Sequence, residues 1–201
     1  MLLEFILNYV IPIFLGYILA DLIMGIYHWL KDTYFGPFTP IIGKKFIWGS
    51  RLHHVRPRYV LEFSDKHLFI DSALWTLIWM GPLFMLRGTT CFMLSLFFII
   101  SFNDVVHKYA HMYDHERPVW ASVLQRMGIF QSHDEHHLHH IEPHNINYCP
   151  ITPYVNFFLE KINFWRKLES IIEVYLGIKA RKREYDFMED PGYPAGIKFL
   201  P

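Results

Sequence analysis

The stretch "CFMLSLFFIISFNDVVHKYAH", residues 91–111, joins an apolar run to a histidine pair. Residues 91–106 are greasy enough to lie in a bilayer, and His107 and His111 follow at i and i+4. On a helix that spacing presents two imidazoles on one face. A span that ends in paired imidazoles predicts a helical membrane protein with metal chemistry at one end of its helices.

Reading backward, "RGTT" at 87–90 is a tight turn, and "LFIDSALWTLIWMGPLFML" at 68–86 is the other arm of a hairpin. Residues 2–30, "LLEFILNYVIPIFLGYILADLIMGIYHWL", supply an earlier span over about 5–28, long enough for one crossing. Pro12 is placed to kink it. Asp21 is costly at membrane depth and is expected to face protein, hydrogen-bonding a ligand or another helix. His28 and Trp29 read as its interfacial end. The basic n-region and small-residue cleavage site of a signal peptide are not evident.

Residues 31–66 are polar and punctuated by Gly and Pro, which predicts interfacial turns with a short amphipathic helix. Residues 154–176 repeat apolar positions at helical spacing between Lys and Arg. They predict one or two interfacial amphipathic helices with Phe and Trp facing lipid. The tail 178–201 reads as solvated and disordered. The fold class is therefore all-α and membrane-integral, one domain over 1–201. It has about three transmembrane helices (5–28, 68–86, 91–111) and a cytosolic or interfacial helical cap.

The basic residues support this order. With the amino terminus outside, only Arg87 falls on the outer side, and the other 18 of the 19 Lys and Arg share the opposite face. That asymmetry marks the cytosolic face. Apolar residues make up 52% of the chain and charged ones 19%, a balance that suits a membrane protein with sizeable polar segments. Zero formal charge argues against a nucleic-acid partner. Cys91 and Cys149 form no C-x-x-C pair, so neither a disulfide framework nor a thiolate zinc site is expected.

Thirteen histidines are the anomaly of the composition. Besides His107 and His111, "HHLHH" places His136, His139 and His140 on one helical face, with His137 turned partly away. Adjacent His53 and His54 in "RLHHVRP" cannot share a face, so they suit two different metals. His28 completes eight candidate ligands, enough for two ions with positions left for oxygen and substrate. Asn103 and Asp104 lie one turn before His107 and are candidates to orient a ligand. His133 and His144 lie about a turn from the "HHLHH" cluster, with the same expectation, while His67 and His115 fit no cluster. All-nitrogen ligation fits Zn, Fe, Cu or Ni by softness. Eight ligands exceed what one hydrolytic zinc needs. Breaking an unactivated C–H bond of a lipid needs a redox metal, so two iron ions with O2 as co-substrate are expected. A membrane metal-binding or transport protein is the alternative from another class, although transporters place their ligands near mid-bilayer. No nicotinamide fingerprint or haem-attachment C-x-x-C-H is present, so electrons must come from a partner.

The segments "ADLIMGIYHW", "GKKFI", "LHHVRP", "HKYAHMY", "HHLHHIEPH" and "LEKINFWRKLE" occur here in one order. With these the chain resembles the Kua/CarF family of membrane histidine-motif lipid desaturases, whose animal members are plasmanylethanolamine desaturases. The resemblance runs from about Ala20 to Ile172. It implies a di-iron enzyme that uses O2 and a cytochrome b5 type donor with its reductase to convert a 1-O-alkyl phospholipid to a vinyl ether. In a eukaryote it would act in the endoplasmic reticulum membrane. Carried over by position, the ligands are His28, His53, His54, His107, His111, His136, His139 and His140, and His144 also matches a family position. Animal members extend further at the amino terminus, which leaves the matter of an additional span open here. They carry a histidine where this chain has Glu135, and the loop 58–70 aligns poorly. A related plant enzyme that desaturates an acyl chain of phosphatidylglycerol shares the histidine pattern. That reading, and a lipid hydroxylase, stay as alternatives. Substrate contacts and oligomeric state are not legible.

Overall fold

The computed structural model describes residues 1–181, so the tail from 182 onward lies outside the described residues. The chain forms α1 (Leu2–Tyr34), α2 (Trp48–Val55), α3 (Asp65–Arg87), α4 (Cys91–Ala110), α5 (Val119–Arg126), α6 (His133–His137), α7 (Pro153–Lys161) and α8 (Phe164–Leu176). There is no strand among the described residues. Three helices, α1, α3 and α4, are long and apolar enough to cross a membrane. Their outward faces carry exposed Phe14, Leu74, Leu77, Ile78 and Phe98, as a helix surrounded by hydrocarbon requires.

The α3–α4 hairpin is set by local chemistry. Gly88 ends α3 at φ 70, a conformation that favours glycine. Two residues later the Thr90 hydroxyl accepts the Met93 N–H at 3.2 Å and starts α4. Consecutive spans alternate in direction, so α1 and α4 run parallel. They approach closely at Gly16, where an added Cβ would sit 2.7 Å from the Phe92 carbonyl oxygen. Ser95 Oγ donates to the Ile13 carbonyl at 2.7 Å across the same contact. Pro12 lies two residues past a π-helical stretch at Ile6–Val10, which takes up the disruption expected from its missing N–H.

Three expectations are corrected. The helix of the first span does not end at His28: α1 continues to Tyr34, because no breaker occurs before Gly36 and Pro37. Trp29 is consequently not an interfacial anchor. It is buried, stacks on Trp165 at 5.7 Å and donates its indole N–H to Glu169 Oε1 at 3.0 Å. Trp165 therefore packs inward instead of facing lipid, whereas Phe157 and Phe158 are exposed as expected. Asp21 is buried and faces protein, and of the two partners expected it takes another helix, at the Thr152 cap of α7, and not a histidine. Its carboxylate accepts the backbone N–H groups of Ile151 and Thr152 at 2.8 and 2.9 Å.

That contact shows how the cap is seated. Ile151 packs among Ala20, Met80, Leu96 and Ile100, inside the spanning bundle. Asp21 lies seven residues before His28, about 10 Å along the helix. The segment leading into α7 thus dips well below the histidines, and non-helical backbone there needs internal partners. Asp21 supplies them. The stretch expected at 154–176 as one or two helices forms two, α7 and α8, separated by Asn163 in the left-handed region at φ 54.

Candidate metal centre

The topology brings four elements to one end of the spans. α1 contributes His28 and Asp32, and α2 contributes His53 and His54. His107 lies in the last turn of α4, with His111 just beyond it. His136 lies on α6, and His139 and His140 on the 3₁₀ turn Leu138–His140 that follows. Ser132 starts α6 with a capping box, its hydroxyl accepting the Glu135 N–H while Glu135 accepts the Ser132 N–H.

These side chains fall into two groups whose ligand atoms lie within 4.8 Å of one another: His53, His107, His111, His136 and His140, and His28, Asp32, His54 and His139. All eight expected histidines are present, and His53 and His54 do part between the groups. The "HHLHH" face is also divided: His136 and His140 join the first group and His139 the second. In the first group, Nε2 atoms approach at 2.9 Å (His107–His136), 2.9 Å (His111–His136), 3.0 Å (His53–His111), 3.1 Å (His136–His140) and 3.2 Å (His107–His111). In the second, Asp32 Oδ2 lies 3.0, 3.2 and 3.4 Å from Nε2 of His28, His54 and His139.

The outer nitrogens fix what the inner ones are. His28 Nδ1 lies 3.0 Å from the Tyr148 carbonyl oxygen and His139 Nδ1 2.9 Å from that of Ile146. His136 Nδ1 lies 3.0 Å from Gln131 Oε1. Carbonyl oxygens only accept, so each Nδ1 carries the proton and each Nε2 turns a lone pair inward. Convergent lone pairs repel one another unless a cation lies among them. Metal–imidazole bonds of about 2.0–2.1 Å put adjacent ligand nitrogens about 3 Å apart at right angles, matching the observed contacts. The donor set therefore fits one metal ion in each group.

Electrostatics agree. Burial, and then the neighbouring imidazoles, hold His53, His136 and His140 well below the ordinary histidine range. The same causes push His111 down to about 3, and burial with His28 nearby does so for His139. At neutral pH these rings are uncharged, which is their ligating form.

The other expected residues lie around the groups. His144 is buried, its ring stacked on His54 at 4.7 Å and its Nδ1 3.1 Å from the His139 carbonyl oxygen. His133 Nδ1 is 2.8 Å from the Ala110 carbonyl oxygen, and His137 is exposed beside it. Asp104 accepts from Ser72 at 2.6 Å and from Asn103 at 2.9 Å, so neither Asn103 nor Asp104 orients a ligand by a direct hydrogen bond. Sequence reasoning missed Asp32, although it is i+4 from His28 and so on the same helical face. Also missed were Gln131 behind His136, and Ser50 and Arg51. Ser50 donates to Asp32 Oδ1 at 3.0 Å, and buried Arg51 lies 3.9 Å from the same oxygen.

A family model described as the lipid desaturase domain matches residues 17–183. A probable fatty acid desaturase of Acanthamoeba polyphaga mimivirus is 71% identical over 190 residues, 94% of this chain and 95% of that protein. Mouse plasmanylethanolamine desaturase 1 is 32% identical over 178 residues, 83% of this chain and 65% of the mouse protein. Chloroplastic fatty acid desaturase 4 of Arabidopsis thaliana is 31% identical over 172 residues, 83% of this chain and 52% of its own length. No solved structure matches. On the family match and these identities, the chain belongs to the lipid desaturase family.

Proposed function

We propose that this protein is an O2-dependent desaturase holding two iron ions, and that it forms the vinyl ether of plasmalogens from 1-O-alkyl ethanolamine phospholipids. One observation supports it above the others: two adjacent groups of inward-facing donors, one of five imidazoles and one of three imidazoles and a carboxylate. Bound iron would supply the redox power that acid–base side chains lack for an unactivated C–H bond. The reaction removes two hydrogens from –O–CH2–CH2– to give –O–CH=CH–. With two electrons and two protons from a donor, O2 leaves as two waters. A cytochrome b5 type carrier with its reductase is the donor proposed.

The chain's own residues hold the site. The Tyr148 and Ile146 carbonyls and Gln131 lock ring tautomers, while Ser50 and Arg51 fix the Asp32 carboxylate. Near-complete burial of His136 and His139 keeps bulk water from the ligand atoms. The ether lipid is favoured over a mid-chain target because the donors gather at one end of the spans, where the carbons beside a headgroup lie. The concentration of basic residues at that end supports its facing the cytosol. A cysteine placed at Ser132 in a chain lacking Cys91 and Cys149 should react only from that side of sealed membranes, and labelling from the other side would reverse the orientation.

An acyl-chain desaturase is the second reading, favoured by the names of the mimivirus and Arabidopsis relatives. Expression in cells lacking plasmalogen synthesis separates the two. Acid-labile vinyl-ether lipids should appear only with alkyl-ether precursor and O2. Acyl desaturation with the ether lipids untouched would replace the first reading by the second.

A further inference from the structure

α4 packs along both α1 and α3, whereas α1 and α3 share no comparable packing. Ile151 fills the space between them at the level of Ala20, Met80 and Ile100, and α4 floors the crevice that continues beyond it toward the histidines. Asp104 marks its floor, accepting from Ser72 of α3 and lying within electrostatic reach of Tyr27 and Lys31 of α1. One turn further along α4 comes His107, a partly exposed member of the first metal group.

Two lysines border this crevice without a carboxylate partner among the described residues. Lys31 Nζ sits 4.6 Å over the ring of Tyr27. Asp32 and Asp104 both act on its charge from a distance, with no ion pair to either, and Asp104 takes hydrogen bonds from Ser72 and Asn103. Lys45, on the segment that crosses toward α3, lies 5.6 Å over Phe46 and 5.8 Å over Trp75, and those two rings meet edge to face at 4.9 Å. Tyr27 and Trp75 are exposed. Aromatic rings with ammonium groups above them are the arrangement of a membrane–water boundary, where the rings meet glycerol and the cations meet phosphate.

Depth completes the fit. Lys31 is three residues beyond His28, about 4.5 Å along α1. The Lys31 side chain turns back over Tyr27, so a phosphate held at its ammonium would leave the first carbons of its lipid within a few ångströms of the level of His28 and His107. We infer that the α1–α3 crevice admits a phospholipid from the bilayer, with its phosphate on Lys31 and Lys45 and its glycerol-proximal carbons beside His107. The inference rests on the lipid-desaturase reading and adds to it the recognition of the phosphate. A second cavity, lined by Gln125, Arg126, Gly128, Glu135, Tyr154 and Phe157, is the competing location. It lies behind His136, and Gln131 holds the outer nitrogen of that ring.

The test uses the full chain in phosphatidylcholine nanodiscs containing a minor fraction of phosphatidylethanolamine with a diazirine near the start of its sn-1 chain. After irradiation, adducts are mapped by peptide mass spectrometry. Adducts should concentrate on the crevice residues around Tyr27, Lys31 and Trp75. They should fall about tenfold in Lys31→Gln, the lower range for losing a charge-assisted hydrogen bond, and recover in Lys31→Arg. Lys45→Gln lies away from the ligands and should reduce labelling in the same direction, so the test stands even if Lys31→Gln disturbs Asp32. Adducts centred on Arg126 and Phe157, or labelling unchanged in both lysine variants, would overturn the inference. Turnover read in parallel discs carrying 1-O-alkyl phosphatidylethanolamine, with the protein iron-loaded and given a chemical reductant and O2, keeps the two readings apart. Crevice labelling without vinyl-ether product overturns only the ether-lipid activity, and product formed with labelling elsewhere overturns only the crevice.

Discussion

Replacing Asp32 by Asn changes one atom of a fully buried side chain, and its effect should differ greatly in size between two states of the protein. Asp32 Oδ2 lies 3.0, 3.2 and 3.4 Å from three imidazole nitrogens, two of them with lone pairs aimed at it. Without metal, this is an acceptor surrounded by acceptors. An amide there would donate to one nitrogen, a gain of about 1 kcal/mol, while Oδ1 would still accept from Ser50. Against that stands the charge lost beside Arg51, which keeps the Lys31 and Phe35 carbonyl oxygens at 2.5 and 2.8 Å as acceptors. The metal-free form should therefore change by no more than about 1 kcal/mol. With metal bound, the same change removes the one anionic ligand of its group. Loss of a partner that merely orients a ligand already costs roughly 10–100-fold in metal affinity. Loss of the ligand itself should exceed the upper figure, about 2.7 kcal/mol or more. The assay is metal content per chain after titration with a graded chelator, beside thermal unfolding of both forms. Asp32→Asn should hold about one ion per chain where the parent holds about two, with metal-free stability nearly unchanged. Two ions retained with the parent's chelator resistance would refute ligation by Asp32.

Replacing His107, His136 or His139 by Ala should abolish turnover, whereas His67→Ala and His115→Ala should leave it near the parent; equal losses at His67 and His139 would dissolve the grouping. Acid should destabilise the metal-free protein. The unfolded chain protonates its histidines near about 6.5, whereas folded His111 and His139 resist until about 3. Proton uptake therefore favours unfolding throughout that window, and the melting temperature should be flat above about pH 7 and fall steadily below it. A melting temperature that rises on acidification would contradict the burial argument. Gly25→Ala should destabilise by about 1–3 kcal/mol, because its Cβ would meet the Cys149 sulfur at 2.3 Å. Cys149→Ala should recover most of that loss in chemical unfolding, and no recovery would mean that the strain lies elsewhere.

The spans were legible because hydrocarbon imposes a run of apolar residues that nothing else in a chain of this size requires. Helices α3 and α4 cover the second and third, and the "RGTT" turn between them was readable from residue type, whereas the Ser64 cap that starts α3 three residues early was not read. The end of α1 was misplaced because polarity begins at His28 while the helix persists to Tyr34. A metal site needs polar residues on a rigid helix, so polarity there does not mean a boundary. The eight histidines were legible by number and spacing. Asp32 was not, since one carboxylate among nineteen acidic residues carries no compositional signal, and its role arises only when α2 and the "HHLHH" turn close over it. The seat of Ile151 beneath the cap and the pairing of Trp29 with Trp165 were equally out of reach. Both depend on contacts between segments more than a hundred residues apart, which local periodicity does not encode.

The central claim is that two adjacent metal groups at the membrane boundary carry out an O2-dependent desaturation. It is tested most directly by mass spectrometry of the lipid left after purified, iron-loaded protein is given 1-O-alkyl phosphatidylethanolamine, a chemical reductant and O2. The account predicts a product two hydrogens lighter than the substrate and labile to acid. That product should be absent without O2 and absent from the Asp32→Asn and His136→Ala chains. A product one oxygen heavier, or unchanged lipid beside a fully metal-loaded protein, would contradict it.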